Sequence, residues 1–538
     1  MDKKSRFAPI VIAVSVVIGM LLGMFFANRF TGSKLNIVNT TSNKLNYLLH
    51  YIDNQYVDTV DIEKIVESTI PNILSELDPH SSYISAEDAK VANDDLKKSF
   101  SGVGVQFTIK NDTVYITNII KGGPSEKVGL CAGDRIVSVD GKPYVGKVVT
   151  NNETLHRLKG DKGTTVKIGV IRNGEKKPKY FSIVRGDIPV TSIDATYMLT
   201  KELGYIKVAK FSETTYAELL TSLAKLQQEG FKGLVIDLRG NTGGYMMSAI
   251  QMVNEFLPAN KLIVYTKGRK MPREEFNSDG HGSYQSIPLI VLTDEISASA
   301  SEIFSGAIQD NDRGMIVGRR TFGKGLVQQQ MPFSDGSLVN LTIARYYTPS
   351  GRCIQKPYTN GDIKDYEMDI IRRYEHGEFF NEDSIRQSGE IYKTSIGREV
   401  YGGGGIVPDV FVAEDTTAFT SYYQEVASKG LISQFCFDYS DKNRKELRAL
   451  ETADNIVDEL KKNHVIEEFV RFCDSKGVKR RNNMIIKSRQ LFEDVIYGTI
   501  IYNAMDMEEY VKYFNHDDIT VKRAIELFEK GETRPKKP

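Results

Sequence analysis

Apolar residues change rhythm several times along this 538-residue chain. From about residue 35 to 95 they recur at helical spacing: Leu45, Leu48, Leu49 and Ile52, then Ile62, Ile65, Val66, Ile70, Ile73, Leu74 and Leu77. The segment closes on the turn-forming string Asp78-Pro79-His80-Ser81-Ser82-Tyr83. From about 96 to 186 the pattern shortens into strands separated by glycines. Residues 114–119 and 136–139 read as strands and 154–158 as a short helix, with Asp140-Gly141 and Asn173-Gly174 as hairpin turns. From 187 to 350 strands and helices alternate, with strands predicted at 205–208, 234–237, 262–265, 289–292 and 315–317. Helices are predicted near 219–226, 246–256 and 302–308, and this alternation argues for an α/β domain. Beyond Gly351 a charged and aromatic insertion leads to the glycine run 402–405, and from Thr416 amphipathic helical patterns dominate.

A chain this long exceeds what one hydrophobic core fills, so several domains are expected. The pattern divides it into 1–32, a helical segment at 33–95, a β-rich domain at 96–186, an α/β core at 187–415 and a helical extension at 416–538. The first of these stands apart. Residues 8–27 carry no charge and follow Lys3, Lys4 and Arg6. Twenty residues rising 1.5 Å each span about 30 Å, the thickness of a bilayer's hydrocarbon core. No small-x-small site ends the run. The expectation is an uncleaved signal-anchor in the inner membrane, with the rest of the chain on the exported, periplasmic side; a cleaved signal is the alternative.

Charge narrows the partners. Seventy basic residues balance 70 acidic ones, which gives no support for a nucleic-acid partner. Cys131, Cys353, Cys436 and Cys473 show no CxxC spacing, and nothing in the sequence selects a pairing.

Three stretches carry chemistry. Ser297-Ala298-Ser299-Ala300-Ser301-Glu302 opens a helix just after a buried strand. There the free N–H groups and the helix dipole stabilise negative charge, so Ser299 and the Ala300 N–H can share one acyl-transfer site. A capped, small-residue helix start is the plainer explanation of the same string. Thr321-Phe322-Gly323-Lys324-Gly325 places an amine among apolar neighbours, where lost solvation lowers its pKa and makes it a neutral base. Gln328, four residues on, is placed to orient that amine. Asp237-Leu238-Arg239-Gly240-Asn241-Thr242-Gly243-Gly244 ends a buried strand, where glycines let backbone N–H groups approach a developing oxyanion. A serine–lysine pair can replace the histidine-based triad. In the β-rich domain, Ser101-Gly102-Val103-Gly104-Val105 precedes a strand and forms a loop able to hold a carboxylate, with the strand open to an added peptide.

The string Gly123–Leu130, followed by Gly133-Asp134-Arg135-Ile136 and Val139-Asp140-Gly141, resembles the signature of bacterial PDZ domains. Together with residues 78–83, 237–244, 297–302, Gln309-Asp310-Asn311 and 321–328, it resembles the carboxy-terminal processing peptidases, or tail-specific proteases of family S41. The resemblance covers roughly residues 40 to 350. It implies Ser299 as nucleophile, Lys324 as general base and Gln328 as the lysine's partner. It also implies Ala300 and Gly244 or Gly243 as oxyanion donors, Asp310 in a structural role, and Gly102, Val103, Gly104 and Val105 as the tail-binding loop. The implied fold is a crotonase-like α/β protease core with an inserted PDZ domain; with the helical N-terminal segment and helical C-terminal extension read from periodicity, the expectation is a multidomain α/β chain. The implied function is a serine endopeptidase acting on proteins with apolar C-termini, without metal or cofactor; with the run at 8–27, the expectation is a membrane-anchored one. An envelope PDZ adaptor with a latent core is the competing expectation. A homodimer or a regulatory partner is left open, and the extension after Gly351 departs from the family pattern.

Overall fold

A computed structural model describes residues 40–86, 88–89, 99–172, 175–385 and 389–538. The chain forms two units, divided between Leu74 and Ser75. In the first, helices Thr40–Gln55 and Ile62–Ser75 follow the predicted helical rhythm.

The second unit is built round a six-stranded sheet. Its strands run, edge to edge, Ile193–Met198, Leu203–Val208, Gly233–Asp237, Leu289–Thr293, Met315–Gly318 and Val410–Phe411. All neighbours are parallel except the first pair. The strand sequences are almost continuously apolar because both faces are covered. Ile206, Leu234, Ile236, Leu289, Val291 and Ile316 face one core, shared with helices Thr215–Glu229, Met246–Asn254 and Ala300–Asp310. The alternate residues Tyr205, Val235, Ile290, Leu292 and Val317 face a second core, closed by Val511, Val521, Ala524 and Leu527 of helices Met507–Asp517 and Ile519–Glu529. The end of the helical extension thus covers the second face of the six-stranded sheet.

A separate sheet joins Ser82–Ile84, Leu338–Tyr347, Leu262–Lys267 and Glu274–Asn277, with Leu326–Pro332 also paired to Leu338–Tyr347. Strand Ser82–Ile84 lies in this sheet although sequence periodicity places it at the end of the helical segment. Between that strand and the six-stranded sheet the chain makes the β-rich domain: Val105–Lys110, Thr113–Ile119, Arg135–Val139, Thr165–Ile171 and Lys179–Val184. It enters and leaves through the antiparallel pair Ser99–Gly102 and Gly186–Pro189. Asp140 and Gly141 both have positive φ and join paired residues Val139 and Lys142, as a tight hairpin requires. The hairpin expected at Asn173-Gly174 lies outside the described residues.

Residues 421–504 fold as helices round their own core, including Tyr422, Phe435, Phe469, Phe492 and Ile496. They touch the β-rich domain through Arg135–Asp441 at 3.1 Å, Lys110 with Asp438, Tyr502 donating to Gln106 at 3.0 Å, and the edge-on rings of Tyr115 and Phe437. All four cysteines are free thiols.

Two expectations need correction. The core is not crotonase-like: it is a mostly parallel sheet and a separate antiparallel sheet that draws strands from both sides of the β-rich insertion. Strand–helix alternation set the class but not the strand order, which depends on long-range pairing. The membrane-anchored enzyme, with its membrane partner and inner-membrane localisation, is also corrected. No helix among the described residues is long and apolar enough to cross a membrane. The apolar run 8–27 that prompted this expectation lies outside the described residues.

Candidate active site

Ser299 sits at the N-terminus of helix Ala300–Asp310 with φ +56°, a backbone setting few L-residues adopt and one that holds its side chain at the end of the helix. The glycine turn is pressed against it. A Cβ at Gly243 would lie 2.7 Å from the Ser299 Cβ and 3.0 Å from the Ala300 N, so only glycine fits. Hydrogen bonds fasten the two segments together. The Ala298 N–H donates to the Asn241 carbonyl at 3.0 Å, the Ser301 hydroxyl to the same oxygen at 2.9 Å, and the Ser297 hydroxyl to the Leu238 carbonyl at 2.8 Å. At the base of the turn, burial would raise the pKa of Asp237, but Arg239 and Lys207 beside it hold the carboxyl well below its usual range.

The two candidate glycine donors differ. The Gly243 N–H donates to Asn241 Oδ1 at 2.8 Å. The N–H groups of Gly244 and Ala300 donate to no group among the described residues.

Glu302 joins the serine and lysine segments. Its carboxylate is wholly buried and accepts from the Ser299 N–H at 2.9 Å, the Lys324 N–H at 2.8 Å, the Gly323 N–H at 2.7 Å and the Thr321 hydroxyl at 2.5 Å. Burial pushes its pKa up to about 7 although these four donors pull the other way. On the carbonyl side the Tyr346 hydroxyl lies 3.0 Å from the Ser299 oxygen and also contacts the Lys324 oxygen. The backbones of residues 299 and 324 are therefore bridged at both their N–H and C=O groups.

Burial lowers the pKa of Lys324, with Glu302 and Asp78 opposing. No hydrogen bond joins Ser299 Oγ to Lys324 Nζ among the described residues. Nor does Gln328 bond the lysine: its Nε2 donates to Thr342 Oγ1 at 3.3 Å. His80 packs nearby, its Nε2 2.8 Å from the Tyr366 hydroxyl; burial and the charge of Lys324 bring its pKa down to about 4. The Gly325 N–H donates to Gln355 Oε1 at 2.8 Å, so the insertion after Gly351 braces the lysine turn.

A family model described as peptidase family S41 matches residues 202–365, and one described as PDZ domain matches residues 101–179. The carboxy-terminal-processing protease of Bartonella bacilliformis is 38% identical over 309 residues, 56% of this chain and 70% of its own. Carboxy-terminal processing protease CtpA of Bacillus subtilis is 32% identical over 380 residues, 68% of this chain and 80% of its own. The chain belongs to the carboxy-terminal processing peptidases of family S41. It is a serine-type endopeptidase of the Ser–Lys kind with a PDZ domain, and its fold is that family's α/β protease–PDZ architecture. The solved photosystem II D1 C-terminal processing protease aligns over 71% of this chain and 95% of its own at 24% identity, with a TM-score of 0.36. Residues 422–506 match a family of unknown function (DUF8443).

In this peptidase the candidate tail-binding residues join two sheets: Gly102 ends strand Ser99–Gly102, opposite Gly186, and Val105 opens the edge strand of the PDZ sheet. Val103 is buried in the PDZ core, and its carbonyl accepts from the Ser125 N–H at 2.9 Å and hydroxyl at 2.6 Å. Gly104 has φ +79°, and its carbonyl accepts from the Ile120 N–H at 3.0 Å. Strand Val105–Lys110 beyond it is an edge of the sheet. Asp310, expected in a structural role, pairs with the buried Arg352 at 2.7 Å. Among the described residues no cluster of three His, Cys, Asp or Glu side chains is placed to hold a metal ion.

Sequence reasoning missed Glu302 and Tyr346. Glu302 was legible only as the third residue of a capped helix, the usual place for a carboxylate that reaches back to the first N–H. Its second set of partners, 19 to 22 residues on, has no local signal.

Proposed function

We propose that Ser299 is the nucleophile of this peptidase, Lys324 its general base and Gln328 the base's orienting partner. The Ala300 and Gly244 N–H groups are the oxyanion donors, and the 102–105 loop with strand Val105–Lys110 captures the apolar C-terminus of a protein substrate. Residues 96–186 are its PDZ domain, 187–415 its peptidase core and 416–538 its helical extension.

The carrying observation is the Glu302 carboxylate, which holds the serine and lysine backbones together through their N–H groups. Neutral Lys324 takes the Ser299 proton as Oγ bonds the substrate's peptide carbonyl carbon. The resulting oxyanion accepts from Ala300 and Gly244, whose N–H groups are uncommitted, whereas that of Gly243 is held by Asn241. The protonated lysine then gives its proton to the leaving amine. Lys324, neutral again, takes a proton from water as the water oxygen bonds the acyl carbon, and returns that proton to Ser299 Oγ as the ester bond breaks and the acyl group leaves.

The test is cleavage of a loosely folded protein made with and without an apolar C-terminal tail. Turnover should favour the tailed form and disappear in Ser299→Ala and in Lys324→Ala. Wild-type turnover in either variant would reject the site, and equal cleavage of both substrates would reject tail capture.

A further inference from the structure

Three elements of the antiparallel sheet lie side by side at Gln328. Strand Leu326–Pro332 places Gln328 directly opposite Thr342 on Leu338–Tyr347, just past a bulge between Val327 and Gln328 that re-aims the side chain. On the other side of Leu338–Tyr347 runs Ser82–Ile84, preceded by the turn containing Asp78. Asp78 is buried. Its carboxylate accepts from the His80 N–H at 2.9 Å, the Ser81 N–H at 2.9 Å and the Ser81 hydroxyl at 2.6 Å, and from the Thr342 hydroxyl at 3.0 Å.

These partners fix direction as well as position. The Thr342 hydroxyl has a single proton, and it is donated to Asp78. The lone pairs left on Thr342 Oγ1 then accept from Gln328 Nε2. An amide held by its NH2 end presents its carbonyl as the remaining group, and Gln328 Oε1 accepts no hydrogen bond among the described residues.

We infer that Asp78 and Thr342 are positioning residues that set the Gln328 amide so that its carbonyl, and not its NH2, is offered to Lys324. The chemical consequence follows from the amine. A neutral lysine acting as base has one lone pair, which must point at Ser299 Oγ. A carbonyl partner accepts one of the lysine's N–H bonds and leaves that lone pair free. An NH2 partner would donate into the lone pair and block it. The polarity of the amide therefore decides whether Lys324 can take a proton. It is set by a carboxylate 250 residues away in sequence (328 − 78), on the far side of the PDZ insertion.

The inference rests on the proposed roles of Lys324 and Gln328, and the experiment separates the two. Turnover of a fluorogenic peptide ending in apolar residues is measured for the full chain and for Thr342→Val, Thr342→Ser, Gln328→Ala and the Gln328→Ala/Thr342→Val double variant. Ser299→Ala and Lys324→Ala are the controls. Thr342→Val keeps the side-chain shape and removes the relay, so kcat should fall roughly ten- to a hundredfold with KM within about twofold. Thr342→Ser should restore it. In the Gln328→Ala background, Thr342→Val should cost nothing further, because the threonine acts through the amide. Wild-type kcat in Thr342→Val, or losses that multiply in the double variant, would overturn the inference. Should Thr342→Val fail to fold, Thr342→Ala carries the same comparison. Activity surviving in the Ser299 or Lys324 control would instead overturn the reading of the site itself.

Discussion

Between residues 187 and 415 the peptidase buries Asp237, Glu255, Glu302, Asp310, Arg313, Arg352, Lys356, Arg373 and Glu378. Between 416 and 538 it fully buries no Asp, Glu, Lys or Arg, although the helices there enclose a large apolar core. Burying a charge is costly unless partners replace its water. The helical region limits that cost: none of its charged residues is fully buried, although Arg444 and Asp441 are largely enclosed. The peptidase core accepts it, and Glu302 shows why: a buried carboxylate fixes two distant backbone segments in a way apolar contacts cannot, because hydrogen bonds to it have direction. Stability can come from either kind of core, whereas the backbones of Ser299 and Lys324 are joined here through a buried carboxylate.

This contrast can be broken most severely in the helical region. Phe492 is fully buried against Tyr422, Tyr423 and Phe469. Phe492→Ala should cost about 3–5 kcal/mol of stability in chemical denaturation. Below the melting transition its kcat should stay at the wild-type value. A comparable loss of kcat in the folded variant would mean that the helical core also shapes the active site.

Glu302→Gln should do the reverse. It keeps the volume but replaces a four-fold acceptor with an amide whose NH2 faces backbone donors. We expect kcat to fall on the order of a hundredfold, the cost of a small misplacement of reacting groups, with KM little changed. A variant that binds and turns over normally would show that the carboxylate is not what aligns the two segments.

The same residue supplies a pH signature. Its folded pKa of about 7 lies above the ordinary value of 4.5, so it favours folding below that ordinary value. This contribution is lost as pH rises through about 7. Glu302→Gln should flatten the stability profile between about pH 4 and 7. An unchanged profile would mean that Glu302 is charged throughout. For Lys324, burial lowers the pKa, so the neutral, basic form gains population as pH rises and activity should rise with it.

Smaller effects complete the series. Thr452 caps helix Ala453–Lys462 by accepting from the Asn455 N–H, and Thr452→Ala should cost about 1 kcal/mol with kcat unchanged. The exposed pair Lys462–Glu459 should be silent: Lys462→Ala is expected to leave both Tm and kcat where they were.

The sequence alone determined much of this. Apolar strand runs flanked by helical periods specify a two-sided α/β sheet, since no other arrangement satisfies both faces of such strands. Small residues round Ser299, and glycines round Lys324 and at 243–244, mark places where backbones approach closely. These are local properties, written in neighbouring side chains. The tertiary structure decided what the periodicity could not carry. It showed that the last two helices cover the second face of the sheet, with Phe528 against Gly233. It set the strand order, which departs from the expected crotonase-like one. It gave Glu302 partners beyond its own helix, and tied Asp78 to Gln328 through Thr342 across the whole PDZ insertion. The reason is the same in each case. A hydrophobic pattern says that a surface must be covered and a polar side chain that it must be satisfied, but the partner is chosen by the global packing of the chain.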